Sequence, residues 1–170
     1  NHADAYNNIG NVMRSQGDAK SALANYKKVL EINPAHAGAH NNIGLAQVDG
    51  GDAVAAVNSY KEAISIDPTY AEAHSNMGMA LQMEGELEAA IMSYKQAIHL
   101  NPNHNGAHNN MGNALRDKGD LDSALDSYKQ AIKIKPDYQP ARTQKLHQQA
   151  HICNWTAIQE DREYISELGI

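Results

Sequence analysis

Asparagine recurs every 34 residues in this sequence, and its side-chain amide can hold a polypeptide backbone. The members of the series are Asn8, Asn42, Asn76 and Asn110. A primary amide has two donor hydrogens and an acceptor oxygen, so it can bind either the N–H or the C=O of a peptide unit. Asparagine is a mediocre helix former, so its presence at the same position of four helical segments indicates a specific role. The series predicts a ladder that grips main chain; the alternative is that the amides cap or bridge neighbouring helices.

The residues around this series differ between repeats and indicate which partner side chains would fit beside it. Polar positions expected on the same face are Asn7, Asn11, Asn41, Asn109 and Asn113, together with Arg14 and Arg116. Apolar positions in the middle of the chain are Leu45, Val48, Met79 and Met83. Methionine adapts its shape to irregular surfaces. We therefore expect an apolar patch between polar ends, with burial against neighbouring helices as the alternative.

Histidine and cysteine offer metal or nucleophile chemistry, but their spacing does not favour it. Three histidine pairs have the four-residue spacing that chelates on a helix, namely His36 and His40, His104 and His108, and His147 and His151. The first two pairs straddle a proline turn without an acidic third ligand, so we expect packing roles and no metal. Only the third pair, near Cys153, leaves a metal site open. With no nucleophile elbow or phosphate-binding loop, we predict no catalytic residue, no cofactor and no enzyme activity for this chain.

The helices and turns that position these amides are encoded by a repeat of 34 residues. Several residue types recur with this step, as at Pro34, Pro68, Pro102 and Pro136 or at Tyr26, Tyr60, Tyr94 and Tyr128. In the third repeat, residues 71–84 are rich in helix formers and end at Gly85, which suits the left-handed residue after a helix. Glu86 follows as an acidic N-cap for residues 87–100, whose apolar stripe has helical spacing and which end before Pro102. Each repeat is therefore predicted to be helix A, a tight turn, helix B and a proline turn.

Small residues predict how the two helices of a repeat meet. Gly78 on helix A is spaced to face Ala90 and Ala97 on helix B. Tyr94 and Met77 are expected to fill the space around the crossing. Small side chains let helix axes approach to the short end of the ~8–10 Å range. One hairpin cannot bury its apolar stripe alone, whereas stacked hairpins can, so the predicted fold is an all-α solenoid of antiparallel helix pairs.

The repeat resembles the tetratricopeptide repeat in its length and in its signature residues. Gly is eighth, Ala twentieth, Tyr twenty-fourth and Pro thirty-second in the units 3–36, 37–70, 71–104 and 105–138. The fourth position departs from the family's usual Trp and holds Tyr6, His40, His74 and His108. The resemblance implies a right-handed superhelix in which helix A lines a concave groove. It also implies a protein–protein interaction module that binds an extended peptide in that groove.

Residues 139–170 keep the helical pattern of a repeat but lose its glycines, so we expect a degenerate fifth repeat that caps the stack. The segment Cys153-Asn154-Trp155 is similar to a Cys-Asp-Trp junction in O-GlcNAc transferase-like proteins, which also carry an asparagine ladder. That resemblance implies an alternative function, the substrate-recognition arm of a glycosyltransferase whose catalytic part is absent here. Because Asn1 comes just before a helix A without an atypical capping repeat, we expect a fragment of a longer array.

Composition and net charge limit the classes of binding partner and the cellular compartment that we expect. Lys and Arg number 14 against 20 Asp and Glu, and the net charge of −6 argues against a nucleic-acid partner. No apolar run is long enough for a bilayer, so no membrane partner is expected. A single cysteine favours a reducing, intracellular setting, the cytoplasm or alternatively the nucleus. The predicted partner is a protein or peptide in the groove; self-association, as a homodimer or end to end, is the structural alternative.

Overall fold

The computed structural model describes residues 2–151, and every regular element within that range is an α-helix. The helices are α1 (His2–Ser15), α2 (Ala19–Ile32), α3 (Ala37–Asp49), α4 (Ala53–Ile66), α5 (Ala71–Met83), α6 (Leu87–Leu100), α7 (Asn105–Lys118), α8 (Leu121–Ile134) and α9 (Gln139–His151). The chain divides into two compact units, Asn1–Pro102 with α1–α6 and Asn103–Ile170 with α7–α9. None of the described helices is both long and apolar enough to span a bilayer.

Each helix A joins its helix B through a tight turn that needs a left-handed residue. The turn residues are Gly17, Gly51, Gly85 and Gly119, with φ values of 80°, 83°, 81° and 90°. Glycine adopts this conformation without the steric cost that a Cβ brings. The turns predicted from the glycine series are therefore confirmed, and they set the start of every helix B.

An acidic cap begins helix B in three repeats but not in the third. The side chains of Asp18, Asp52 and Asp120 each accept a hydrogen bond from the backbone N–H three residues later. Glu86 holds the same position with a side chain one methylene longer and makes no such bond. Hydrogen bonds from Ser21 hold the pKa of Asp18 below its ordinary value. The stability from this cap is therefore present above the unfolded pKa and is lost as the pH falls through the lowered one.

We expect Asp52→Ala to lower the thermal midpoint by about 2–4 °C, because it removes the acceptor for the Ala55 N–H. Circular dichroism at 222 nm during heating measures the midpoint. Glu86→Ala is the matched control, since Glu86 makes no capping bond, and it should change the midpoint by less than about 1 °C. Equal losses for the two variants would show that the aspartate acts through its charge alone.

The glycine of helix A and the tyrosine of helix B form the closest contact within each hairpin. The four tyrosines, Tyr26, Tyr60, Tyr94 and Tyr128, are fully buried. A Cβ built on the facing glycine would lie 2.5 Å from the tyrosine ring in three repeats and 2.7 Å in the third. Carbon atoms normally approach to about 3.5–4.0 Å, so no side chain fits there. The Tyr94 ring is thus the group nearest to a Cβ built on Gly78, which confirms that Tyr94 fills the space at this crossing, as the sequence predicts.

Stacking of hairpins builds the core of the first unit from helix B of one repeat and helix A of the next. Tyr26 of α2 packs with Ile43 and Ala46 of α3. Tyr60 of α4 packs against α5 in the same way, and Met77 borders that cluster. In this unit the apolar stripes of the first two hairpins are therefore each covered by the next hairpin, as the sequence predicts.

The helices A form the inner face of the first unit. Helix α1 contacts α3, and α3 contacts α5, whereas the described residues of α2, α4 and α6 make no such contacts with one another. Helices that touch lie closer together than helices that do not, so this unit is concave on the helix-A side. In the second unit, α7 contacts α9 in the same manner.

The all-α fold of stacked antiparallel helix pairs, predicted from the repeat, is confirmed. Helix α9 supplies the first helix expected for the degenerate fifth repeat and packs on α8. The rest of that repeat, with Cys153-Asn154-Trp155, lies outside the described residues. The division into four full repeats up to residue 138 and a capping pair thereafter stays a prediction.

Candidate functional site

The ladder amides of the first unit are held by hydrogen bonds between consecutive repeats. The Nδ2 group of Asn42 donates to Oδ1 of Asn7 at 2.9 Å. The Nδ2 group of Asn76 donates to Oδ1 of Asn41 at 3.0 Å. The sixth position of one helix A is thus tied to the fifth position of the helix A before it. The bridging role that the sequence left as an alternative is present, and it fixes the orientation of two ladder amides.

The same amides keep hydrogen-bonding capacity on the inner face. Asn42 and Asn76 are half-buried, and no described residue donates to their Oδ1 atoms. Each Nδ2 group also retains a second hydrogen. Asn8 is exposed on α1. The bond between repeats holds each of these two amides in one orientation, and helices packed side by side lie about 10 Å apart.

The asparagines at the fifth position support the ladder. Asn41 is only 3% exposed and Asn7 is half-buried, and each gives its oxygen to the next repeat. Ser75, which holds this position in the third repeat, is also buried. The sequence predicts Asn7 and Asn41 as binding residues in their own right. Their burial gives them a positioning role, and direct contact with a partner stays a prediction.

The second unit arranges its amides differently. Nδ2 of Asn109 donates to Oδ1 of Asn110 on the same helix at 3.3 Å, and the buried Oδ1 of Asn109 has no partner among the described residues. Gln144 stands one repeat after Asn110, but its Oε1 accepts a hydrogen bond from Nη1 of Arg116 at 2.7 Å. The longer glutamine is held by the arginine. Among the described residues, no hydrogen bond between two side-chain amides links α7 with α9. This pair was not predicted, although the change from Asn to Gln at the ladder step signals it.

Two other predicted groove residues, Asn11 and Asn113, bind buried tyrosines. Oδ1 of Asn11 accepts a hydrogen bond from the Tyr26 hydroxyl at 2.8 Å, and Oδ1 of Asn113 accepts one from Tyr128 at 3.0 Å. Each asparagine therefore satisfies a hydroxyl that burial would otherwise leave unpaired. The sequence signal of this contact is the equal spacing of 15 positions between the two residues of each Asn–Tyr pair.

The predicted apolar patch is divided between the core and the surface. Leu45 and Val48 are half-buried and pack against the cluster around Tyr60, as the burial alternative expects. They stand where other repeats place polar partners, so the buried Tyr60 hydroxyl has no hydrogen-bond partner among the described residues, and burial raises its pKa. Met79 is half-buried, whereas Met83 is 54% exposed. Met83 is therefore the member of the patch with most surface to offer a partner.

We expect Tyr60→Phe to leave the free energy of unfolding unchanged or slightly raised, because it removes an unpaired buried hydroxyl. Tyr26→Phe is the matched change and should cost about 1 kcal/mol, because it removes the hydrogen bond to Asn11. Urea unfolding followed by circular dichroism compares the two variants. A loss at Tyr60 as large as the loss at Tyr26 would mean that the Tyr60 hydroxyl is hydrogen-bonded in solution.

The recurring histidines cap helices and close turns. Nδ1 of His36 and Nδ1 of His104 each accept a hydrogen bond at 3.1 Å from the backbone N–H three residues later. Nε2 of His40 and of His74 lie 3.1 and 3.2 Å from a proline carbonyl oxygen, which can only accept, so these nitrogens donate. Among residues 2–151 no three His, Cys, Asp or Glu side chains are grouped to hold a metal ion. The third histidine pair with Cys153 lies partly outside that range.

Charged side chains frame the inner face of the first unit. Nε of Arg14 on α1 lies 3.0 Å from Oδ2 of Asp49 on α3, and both side chains are partly exposed. An exposed ion pair of this kind contributes little to stability in water. Residues 37–70 and 71–104 each contain one basic and four acidic side chains. The predicted basic groove residue Arg14 is thus paired, and the excess charge of the middle repeats is negative.

Stacked antiparallel helix hairpins define an α-solenoid repeat protein. The chain belongs to the tetratricopeptide repeat family. The family model described as tetratricopeptide repeat matches residues 71–104 and 106–138, and the model described as TPR repeat matches residues 10–51 and 48–85. The resemblance read from the repeat is therefore confirmed. The fold is that of a protein–protein interaction module, and the matched models describe repeats and not a catalytic domain.

Solved structures agree with this assignment. The crystal structure of a MamA protein is 31% identical, with 88% of this chain and 81% of that chain covered and a TM-score of 0.74. A second MamA crystal structure is 28% identical over 94% of this chain and 97% of its own, with a TM-score of 0.77. The pilF protein of Pseudomonas aeruginosa has a TM-score of 0.90 over 98% of this chain and 76% of its own; at 18% identity it shares the fold alone.

No curated protein matches this chain. The resemblance to O-GlcNAc transferase-like proteins gains no support from these comparisons and stays a prediction, as does the glycosyltransferase arm that it implies.

Proposed function

We propose that the chain binds an extended segment of a partner protein along the inner face of the helices A of its first unit, through the asparagine ladder. The observation that supports this proposal is the arrangement of Asn42 and Asn76. Their donor groups are engaged by the preceding repeat, their side chains are half-buried, and their acceptor oxygens have no donor among the described residues. An acceptor held in one orientation binds an N–H group with little loss of conformational freedom.

The spacing of the ladder suits an extended chain. A strand advances about 3.3 Å per residue, and neighbouring ladder amides are about 10 Å apart, so each amide meets every third peptide unit. Contacts of this kind hold main chain without reading its sequence. Selectivity then comes from side chains beside the ladder. The exposed Met83 suits an apolar partner residue, and the negative charge of the middle repeats favours a partner with basic residues.

The binding test uses a fluorescein-labelled, uncharged 15-residue peptide of alternating Ser, Ala and Thr, titrated with the protein and followed by anisotropy. The double variant Asn41→Ala/Asn76→Ala deletes one rung of the ladder together with its support. Each lost hydrogen bond to the peptide is worth about 0.5–1.5 kcal/mol, so we expect affinity to fall about fivefold. Removing both partners leaves no unpaired buried amide, so the variant should fold.

Gln96→Ala is the matched control, because it also removes a primary amide and Gln96 is exposed on α6, outside the ladder. It should bind the peptide like the unchanged protein. Equal affinity of the double variant and the Gln96 variant, with both proteins fully helical, would contradict the ladder as the grip and leave the amides with a structural role only.

A further inference from the structure

Two departures from the repeat pattern meet at one place in the first unit. Val54 stands where the other repeats have a charged residue, namely Lys20, Glu88 and Asp122. Glu84 lies beside it, at a position where the other repeats have Gln16, Gly50 and Lys118. Glu86 replaces the aspartate that caps helix B elsewhere, and it does not cap. Because all repeats share one structure, residues at equivalent positions can be compared directly. A residue that differs from its equivalents without a role in stacking indicates a function specific to its own repeat.

These residues line a groove between α4 and the turn that joins α5 to α6, with a volume of about 300 Å³. We call it the Val54 groove, and we call its apolar residues Val54, Val57 and Leu81 the floor and its polar residues Asn58, Lys61, Glu84 and Glu86 the rim. Val54 is 60% exposed, an apolar side chain open to water on a helix surface. Val57 and Leu81 pack into the Tyr60 cluster, so the floor is fixed by the core. The size is at the low end for a ligand site and suits one apolar side chain with its neighbours.

The rim of the Val54 groove gives the charge that a bound segment must complement. Glu84 and Glu86 are exposed at the α5–α6 turn, and neither takes part in an ion pair among the described residues. Because Glu86 does not cap α6, its carboxylate stays available, unlike the aspartates of the other repeats. Lys61 lies on the α4 side of the rim. The turn side therefore attracts a cation, and Lys61 on the α4 side can donate a hydrogen bond to a carbonyl or carboxylate oxygen.

We propose that the Val54 groove docks a segment of a partner protein in which a Val, Ile, Leu or Met is flanked by Lys or Arg. The apolar side chain covers Val54 and contacts Leu81, which removes exposed apolar surface from water. The flanking cation pairs with the carboxylates of Glu84 and Glu86. None of the groove residues belongs to the asparagine ladder, so this is a second binding surface whose fate does not depend on the ladder.

The test follows the methyl signals of Val54, Val57 and Leu81 by ¹H–¹³C NMR while a short peptide is added at low ionic strength. The probe is acetyl-Gly-Ala-Arg-Leu-Arg-Ala-Gly-amide. One comparison peptide carries Glu in place of both Arg residues, and another carries Ser in place of Leu. We expect saturable shifts of these methyls with the Arg-Leu-Arg peptide and at least threefold weaker binding of either comparison peptide.

Two variants assign the binding to the groove. Val54→Lys places the residue of the first repeat at this exposed position, so it should fold normally and lose at least roughly tenfold in affinity through lost apolar contact and added repulsion. The double variant Glu84→Gln/Glu86→Gln should bind roughly threefold more weakly and with less dependence on salt. Gln96→Ala is the control, because Gln96 is exposed on α6 outside both the groove and the ladder, and this variant should bind the peptide unchanged.

Three results would overturn the proposal. The first is equal binding of the Arg and Glu peptides. The second is binding that survives Val54→Lys in a fully helical protein. The third is a shift of the Val54, Val57 and Leu81 methyls with protein concentration alone, because the occupant of the groove would then be a second copy of this chain.

Discussion

Replacing Gly44 by alanine is expected to lower the free energy of unfolding by about 2 kcal/mol. The added Cβ would lie 2.5 Å from Cε1 of Tyr60, whose ring is fully buried and cannot turn aside. Forcing extra carbon into a filled core costs about 1–3 kcal/mol and at times more. Alanine gains about 1 kcal/mol over glycine in helix propensity, which offsets only part of a cost at the upper end of that range. Urea unfolding followed by circular dichroism measures the change.

Gly50→Ala is the control for this substitution. Gly50 lies at the end of the same helix with right-handed angles, and a Cβ there would meet its nearest neighbours at an ordinary 3.4 Å. It should therefore leave stability unchanged or raise it by up to about 1 kcal/mol. Equal changes in the free energy of unfolding for Gly44→Ala and Gly50→Ala would mean that glycine is not needed at position 44 to make room for the Tyr60 ring.

Replacing Asn76 alone by alanine is expected to cost about 1–3 kcal/mol. The Asn76 amide is the donor to Oδ1 of Asn41, an atom on a side chain that is 3% exposed. Leaving a buried acceptor without its donor carries its full desolvation penalty. The ladder amides are thus part of the stack as well as of the proposed binding face.

The double variant Asn41→Ala/Asn76→Ala separates these two roles. Because it removes donor and acceptor together, its cost should be smaller than the sum of the two single changes by at least about 0.5 kcal/mol. A double-mutant cycle measured by urea unfolding gives this coupling. Strict additivity would mean that the bond between the two repeats is absent in solution.

The helices and turns could be predicted from the sequence because glycine and proline mark where each one ends. For the third repeat the predicted helices at 71–84 and 87–100 are found as Ala71–Met83 and Leu87–Leu100. The left-handed φ of the turn glycines has the steric cause that was anticipated from residue type. Local sequence determines these features, so one repeat is enough to read them.

The details of the site could not be predicted, because they depend on the distance between stacked repeats. Asn42 and Asn7 are 35 positions apart in the sequence, and nothing in the residue types says that their amides meet. Likewise, Asn11 was assigned to the groove by its position on helix A, whereas its oxygen accepts the Tyr26 hydroxyl. Amide side chains form hydrogen bonds over about 3 Å. An error of that size in the placement of a side chain decides whether it lies in the groove or in the core.

Departures from the repeat carried more information than the repeat itself. Leu45 in place of an asparagine leaves the Tyr60 hydroxyl without a partner in the described part of the chain. Gln144 in place of the ladder asparagine bonds to Arg116 and not to Asn109. Val54 and Glu86 make the groove between α4 and the α5–α6 turn unlike its counterparts. The stack fixes the scaffold, and the exceptions distinguish one repeat from another.

The most direct test of the proposed ladder is the side-chain NH₂ signals of Asn42 and Asn76 in ¹H–¹⁵N NMR spectra as the uncharged Ser-Ala-Thr peptide is added. We predict that these two pairs of signals shift and saturate with the peptide, while the NH₂ signals of Gln96 on α6 stay in place. If the peptide binds and the signals of Asn42 and Asn76 do not move, the amides hold the repeats together and the partner is held elsewhere.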